Sequence, residues 1–412
     1  MYTKNSSKIK LMILVSIIVI YILVGLGLKF AADKGIIPKA TPLKQEIQGD
    51  DSIKVSIPDY KINLESAQIF FKKEFVEPSG HVDLYLTINQ NKTIYLDNNT
   101  NSEAISYYLL WAANDNDQHS FDKEMEYEKE YMIQPDVGYM MWKLTANDTV
   151  ENDGANMASD ADLRTTKALL IAESKWGNKK YSIQIEKLAS ALKKVAITND
   201  GYLAPYGGAS GNSIWTADEI WLSYSDFNVF EELSKRFGSP WKELHDKMKK
   251  AALNAQLANG LYNSQLTNTR QYGNSIDGNG YSINSMWMMI RSAESNDPEL
   301  KTSALKSLNF YKQKFMQDGE LYAEYSSSGD ALSPSDAPWV YALVGRAAIA
   351  LSDTDFANAM LKKLVEHQIT DKKSKLYGSF PEGNGDNLRI GQFTMQESIL
   401  TLQAFLMSNG QK

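Results

Sequence analysis

The chain has 412 residues, 43% of them hydrophobic and 11% aromatic, with a formal net charge of −7 and no cysteine. That size and apolar content can bury a large core, and the acidic balance with no basic run in the body argues against a nucleic-acid partner. Without cysteine there are no disulfides, thiolate metal sites or lipidated cysteines; His81, His119, His245 and His367 are too scattered for a metal motif, so neither metal nor cofactor is expected.

Residues 11–28, LMILVSIIVIYILVGLGL, run without a charge for long enough to span a bilayer as a helix. Lys4, Lys8 and Lys10 precede the run and Lys29, Lys34 and Lys39 follow it, so charge barely sets an orientation. Gly25-Leu26-Gly27 is a weak cleavage candidate. Residues 1–30 therefore read as a single-pass membrane anchor of a bacterial protein whose body lies outside the cell, the alternative being a cleaved signal peptide and a secreted form. Residues 31–64, polar and carrying Pro38, Pro42 and Pro58, read as an extracytoplasmic linker.

From 65 to 412 the pattern predicts one domain of helix-length segments near 66–75, 102–113, 121–131, 160–175, 182–195, 217–237, 241–258, 283–293, 298–315, 337–351, 354–367 and 394–406. That is about a dozen helices, with 217–237 reading as one helix or two short ones. VDLYLTI and KTIYL read as short strands. No repeat is visible at the period of roughly 20–50 residues that marks a solenoid. The expectation is an all-α, monomeric, closed toroid of helical hairpins with a cleft at one end. The glycine-rich stretch APYGGASGNSIW reads as a loop bordering that cleft and lacks the Lys and strand context of a phosphate loop.

The fourth segment opens with two aspartates, in NMASDADLRTTKALLIAESKWG. Ser159 and Asp162 have the spacing of a capping box, while Asp160 falls in the first turn, where the helix dipole favours an anion. Capping thus accounts for Asp162, and for Asp160 only in part. Glu103 opens another apolar helix beside Tyr107, Tyr108 and Trp111, where desolvation would keep its carboxyl protonated; its plain alternative is a dipole partner in a helix capped by Asn101 or Ser102.

These segments carry a resemblance. NMASDADLRTTKALLIAESKWG is similar to the Ala-Thr/Ser-Asp-Ala-Asp-x-x-Ile-Ala-x-Ala-Leu-Leu-x-Ala block of family 8 glycoside hydrolases, which are (α/α)6 barrels. TNSEAISYYLLWAA resembles the family's Thr-x-Ser-Glu-Gly-x-x-Tyr segment, and the resemblance makes Glu103 the general acid, followed by Tyr107 as a substrate contact. GYMMWKL resembles a Gly-Leu-x-x-Trp stretch and assigns Trp142 to sugar stacking, while SGHVDLYLTINQ resembles the lead-in to the acid. By the same resemblance Asp160 holds the distorted sugar at the cleavage point.

Inverting hydrolysis also needs a carboxylate base about 6.5–9.5 Å from the acid. In the family that base belongs to a Tyr-Asp-Ala-x-Arg-x-x-x-Arg run, whose counterpart here is INSMWMMIR. The match puts Asn284 in place of the aspartate and Trp287 in place of the first arginine, and keeps Arg291. An amide cannot take a proton from water. The preceding loop RQYGNSIDGNGY offers Asp277 and LSYSDF offers Asp226, although Asp-Gly is also an ordinary turn pair.

Eight tryptophans and 22 tyrosines exceed what a helical core needs, so Tyr206, Trp215, Trp221 and Trp287 are candidates to line a sugar groove, with core packing the alternative for each. The reading is a membrane-anchored, endo-acting, inverting hydrolase of a β-linked polysaccharide, resembling family members encoded with exopolysaccharide synthesis. Two readings compete with it. One is a silent glycan-binding module that has lost its base, and the other a polysaccharide lyase, which no His-rich motif supports.

Overall fold

Asp59 starts the first helix, its carboxylate accepting the backbone N–H of Lys61 at 3.1 Å and of Ile62 at 3.3 Å. The computed structural model describes residues 59–410 apart from 91, 152–153, 212, 279, 334–336 and 384–387. The apolar segment at 11–28 therefore lies outside the described residues, and among the described residues no helix is long and apolar enough to cross a membrane.

Among the described residues the α-helices are α1 Tyr60–Glu74, α2 Ser102–Asn114, α3 Gln118–Tyr127, α4 Ser159–Trp176, α5 Lys179–Val195, α6 Phe227–Phe237, α7 Ser239–Asn254, α8 Ile283–Glu294, α9 Pro298–Asp318, α10 Pro338–Ala350, α11 Thr354–Glu366 and α12 Gln392–Ser408. Helix α1 begins inside the stretch 31–64 read as linker, because the Asp59 carboxylate caps its first turn there. Within the segment 217–237 only Phe227–Phe237 is α-helix. The segment opens with a strand, Ile220–Trp221, and a 3-10 turn, Leu222–Tyr224, before Asp226 caps α6 by accepting from Val229 N–H at 3.2 Å.

Helices α2, α4, α6, α8, α10 and α12 touch in succession, and α12 touches α2, so they close a ring. Helices α3, α5, α7, α9 and α11 each pack outside the inner helix that precedes them, while α1 packs against α12. The first and last helices thus form the sixth hairpin. Gln368, just after α11, stitches this closure: its side-chain amide accepts from Asn63 Nδ2 at 2.6 Å and donates to the carbonyls of Asn63 at 2.9 Å and Gly378 at 3.0 Å.

The inner helices are covered by outer helices on one side and by one another towards the axis, so they are apolar almost all round; in α10 every residue from Val340 to Ala348 is buried. The toroid is not purely helical. Short antiparallel strands knit the ends where inner helices begin: Thr100–Asn101 with Lys143–Leu144, Met157–Ala158 with Tyr206–Ser210, and Tyr85–Asn89 with Ile390–Gly391. The glycine-rich stretch expected as a loop is a hairpin of Tyr206–Ser210 with Ser213–Thr216. Its glycines serve close approach, since a Cβ on Gly207 would sit 2.4 Å from the Val195 carbonyl oxygen.

Candidate active site

Asn101 caps α2 by accepting from Ala104 N–H at 2.8 Å, which leaves Glu103 in the first turn. The strand pairing at this helix mouth brings Trp142 alongside: Ser102 N–H donates to the Trp142 carbonyl at 2.8 Å, and the Trp142 indole N–H donates to Glu103 Oε1 at 3.2 Å. Burial and then the neighbouring Asp160 charge push the Glu103 carboxyl up to about 8, against the opposing pull of Arg164 and Trp142. Glu103 therefore keeps its proton at neutral pH. Its second oxygen is buried without a partner.

Asp160 occupies the matching position on α4 and is 2% exposed. Its Oδ2 accepts from Arg164 Nη2 at 2.8 Å, and its Oδ1 is buried without a hydrogen-bond partner. The capping box does not form. Ser159 donates to the Ala204 carbonyl at 2.7 Å, and Asp162 accepts from Met140 N–H at 3.2 Å, so both residues tie α4 to neighbouring segments rather than to its own first turn. Burial holds the Asp162 carboxyl well above the usual carboxylate range, and nearby Glu128 adds to that shift.

A cleft of about 620 Å³ opens above Glu103 and is walled by Trp142, Tyr206, Trp215, Trp221 and Tyr224. The rings form a continuous series, with centroid separations of 6.1 Å for Tyr206 and Trp215, 6.3 Å for Tyr206 and Trp221, and 5.1 Å for Trp221 and Tyr224. Three of the aromatic candidates thus come together with Glu103 and Trp142. Tyr224 was missed: it stands two residues before Asp226 in LSYSDF and is close enough to Glu103 and Asp160 for both charges to raise its hydroxyl, behind the larger effect of burial.

The remaining candidates lie elsewhere. Tyr107 and Arg291 line a second cavity of about 390 Å³ along the axis, where Tyr107 donates to Glu397 Oε1 at 2.5 Å and Arg291 pairs with Asp226 at 3.0 Å. Asp226 is not a poised base: burial would raise its carboxyl, but Lys167 at 3.3 Å and Arg291 hold it below its ordinary value. Trp287 packs on Phe393, ring centroids 5.7 Å apart, and does not line the cleft. Asp277 also stands off the cleft wall. Its Oδ1 accepts from the Asn284 side-chain amide at 2.8 Å and backbone N–H at 3.2 Å, and Asn284 in turn accepts from Ser223 Oγ at 2.6 Å. Among the described residues lining the cleft, Glu103 is the carboxylate.

The family model for glycosyl hydrolases family 8 matches residues 65–367. A curated relative, an endoglucanase of Pseudomonas fluorescens (strain SBW25), is 26% identical over 186 residues, which cover 43% of this chain and 44% of that protein. The chain thus matches less than half the length of that relative. A structure described as a novel alpha-amylase from Clostridium perfringens superposes with a TM-score of 0.70 at 24% identity, over 83% of this chain and 98% of the other. A beta-1,3-1,4-glucanase from Paenibacillus sp. X4 gives 0.64 at 17%, over 87% and 94%, and PssZ from Listeria monocytogenes gives 0.61 at 18%, over 82% and 94%. At these identities the likeness is one of fold.

Proposed function

This chain belongs to glycosyl hydrolases family 8, and on that premise we propose that it is an endo-acting hydrolase of a β-linked polysaccharide, with Glu103 as general acid. The observation that carries this reading is the Glu103 carboxyl, kept protonated by burial and by Asp160 at the floor of an aromatic-walled cleft. Inversion, the general property of the family, proceeds in one displacement. A water oxygen bonds to the anomeric carbon, the glycosidic bond breaks, the Glu103 proton goes to the leaving oxygen, and a carboxylate base takes the proton of the water. The aromatic wall supplies flat apolar faces for sugar rings.

Asp277 is the base in this reading. It is coupled to the cleft through Asn284 and Ser223, which directly precedes Tyr224. Burial raises its carboxyl, the direction that makes a stronger base. Closure of its loop would have to bring it to the attacking water. The single carboxylate on the described cleft wall favours the competing reading, a glycan-binding module without turnover.

The β-linkage draws on the named endoglucanase and beta-1,3-1,4-glucanase. The apolar run at 11–28 supports a membrane anchor that holds the domain outside the cell, where an exopolysaccharide would be its substrate. The test is the full chain and its Glu103→Gln variant on a panel of β-glucans, xylan, chitosan, amino-sugar exopolysaccharide and starch, with products weighed by mass spectrometry. Cleavage of a β-glycan lost in the variant is the expected result. Cleavage of starch alone would sink the β assignment, and binding without cleavage by the parent chain would establish the module.

A further inference from the structure

Arg164 sits one turn below Asp160 on α4, at a position the family block leaves open. Three contacts fix its guanidinium: Nη2 donates to Asp160 Oδ2 at 2.8 Å, Nη1 donates to Ser106 Oγ at 2.8 Å, and the Tyr107 ring lies 3.9 Å away beneath it. It is itself 2% exposed.

The support continues around the axis. Tyr107 on α2 donates to Glu397 on α12, which pairs with Arg346 on α10. Arg346 Nε lies 3.2 Å from Glu294 on α8, and Glu294 lies 2.9 Å from Lys167, back on α4. Lys167 also reaches Oδ2 of the α6 cap Asp226, which Arg291 of α8 meets as well. The inner helices thus hold one another through a circuit of buried and half-buried polar and charged groups.

We propose that Arg164 is the positioning residue of the active site: it locks the Asp160 carboxylate in one orientation and offsets the charge that Asp160 presents to Glu103. This rests on the reading that these two carboxyls do the chemistry. The planar fork suits the task, because it bridges Ser106 and Asp160 while stacked on a ring, and an ammonium cannot do all three at once. Its charge can be followed separately. The Arg164 cation offsets the Asp160 charge felt by Glu103, so without it Glu103 gives up its proton at higher pH. The other groups facing the pair are the Trp142 indole, the Tyr224 hydroxyl and, beside Asp160, the Asp162 carboxyl, which burial holds well above the usual carboxylate range.

Because Trp142 donates its indole N–H to Glu103, that N–H reports the titration whether or not a substrate is known. The full chain is labelled with nitrogen-15 tryptophan, the Trp142 signal is identified by its loss in Trp142→Phe, and its midpoint is followed with pH. Arg164→Gln should move the midpoint up by about one unit or more, with Arg164→Lys in between. On any glycan the parent cleaves, kcat should fall by about a hundredfold in Arg164→Gln with KM little changed. An unmoved midpoint in folded Arg164→Gln overturns the proposal. Should that variant fail to fold, Arg164→Lys decides, and no shift there overturns it equally. A shifted midpoint in a chain that cleaves no glycan would uphold the positioning role and reject the hydrolase reading instead.

Discussion

Asn284 donates both its side-chain amide and its backbone N–H to one oxygen of Asp277, at 2.8 and 3.2 Å, across a separation of seven residues. The amide that stands where the family's base is expected thus orients the carboxylate proposed to replace it. Asp277→Asn should lower kcat by about three orders of magnitude or more while glycan binding persists. Asn284→Ala should cost less, because it frees Asp277 rather than removing it. Equal turnover in Asp277→Asn and the parent would end the case for this base.

Asp226 offers the contrast. Its carboxylate neutralises Lys167 and Arg291 and caps α6, so Asp226→Asn leaves the buried Arg291 poorly matched while the half-buried Lys167 keeps Glu294. The expected loss is about 3–5 kcal/mol of stability, the cost of breaking a buried ion pair from one side. Urea unfolding measures it, and the fraction that remains folded should retain most of its turnover.

Stability should fall as the pH rises from about 4.5 to about 8. Burial pushes Glu128 from an ordinary 4.5 up to about 8, and neither of its carboxyl oxygens has a hydrogen-bond partner. The group is neutral when folded and ionises readily when unfolded, so its contribution is whole below about pH 4.5 and is lost as pH rises towards 8. The loss is on the order of a few kcal/mol. Glu128→Gln should flatten the dependence of the urea midpoint across this window, and an unchanged slope would rule Glu128 out as its source. Glu103→Gln should do the same in part, since Glu103 is also pushed up to about 8.

Trp215 is 43% exposed and lies against Gly208, where a Cβ would stand 3.0 Å from its indole nitrogen. Gly208→Val should therefore tilt the ring away from the cleft. We expect KM for a long glycan to rise about tenfold in both Gly208→Val and Trp215→Ala, with kcat nearly kept, as for a stacking contact made equally in ground and transition states. A matching fall in kcat would instead place the hairpin in the chemistry.

The closure of the ring can be tested at Gln368. Its amide donates to the carbonyls of Asn63 in α1 and Gly378 beyond α11, and Gln368→Leu removes that donor from both, leaving the Asn63 carbonyl with Ser66 Oγ at 3.0 Å. A loss of about 1–3 kcal/mol is expected. Hydrogen exchange should show α1 opening first, whereas uniform loss of protection would mean that α1 is no separate weak point.

By itself the sequence determined most helix positions, the strand pair before α2, and the alignment of Glu103, Trp142 and Asp160, because each depends on local periodicity or on a motif of consecutive residues. It also carried enough aromatic surplus to point to Tyr206, Trp215 and Trp221. What it could not determine was which way an inner-helix side chain faces. An inner helix is buried on both sides, so its apolar pattern is nearly continuous and does not mark the axis. Tyr107 and Arg291 therefore looked like groove residues and proved to be links in the axial circuit, reachable only once six helices had closed around it. Asp162 and Ser159 looked like a cap by spacing alone, but their partners, Met140 and Ala204, come from other segments. Tertiary packing offered those buried groups stronger claims than the helix's own first turn, and a polar group taken out of water goes to the partner that the fold delivers.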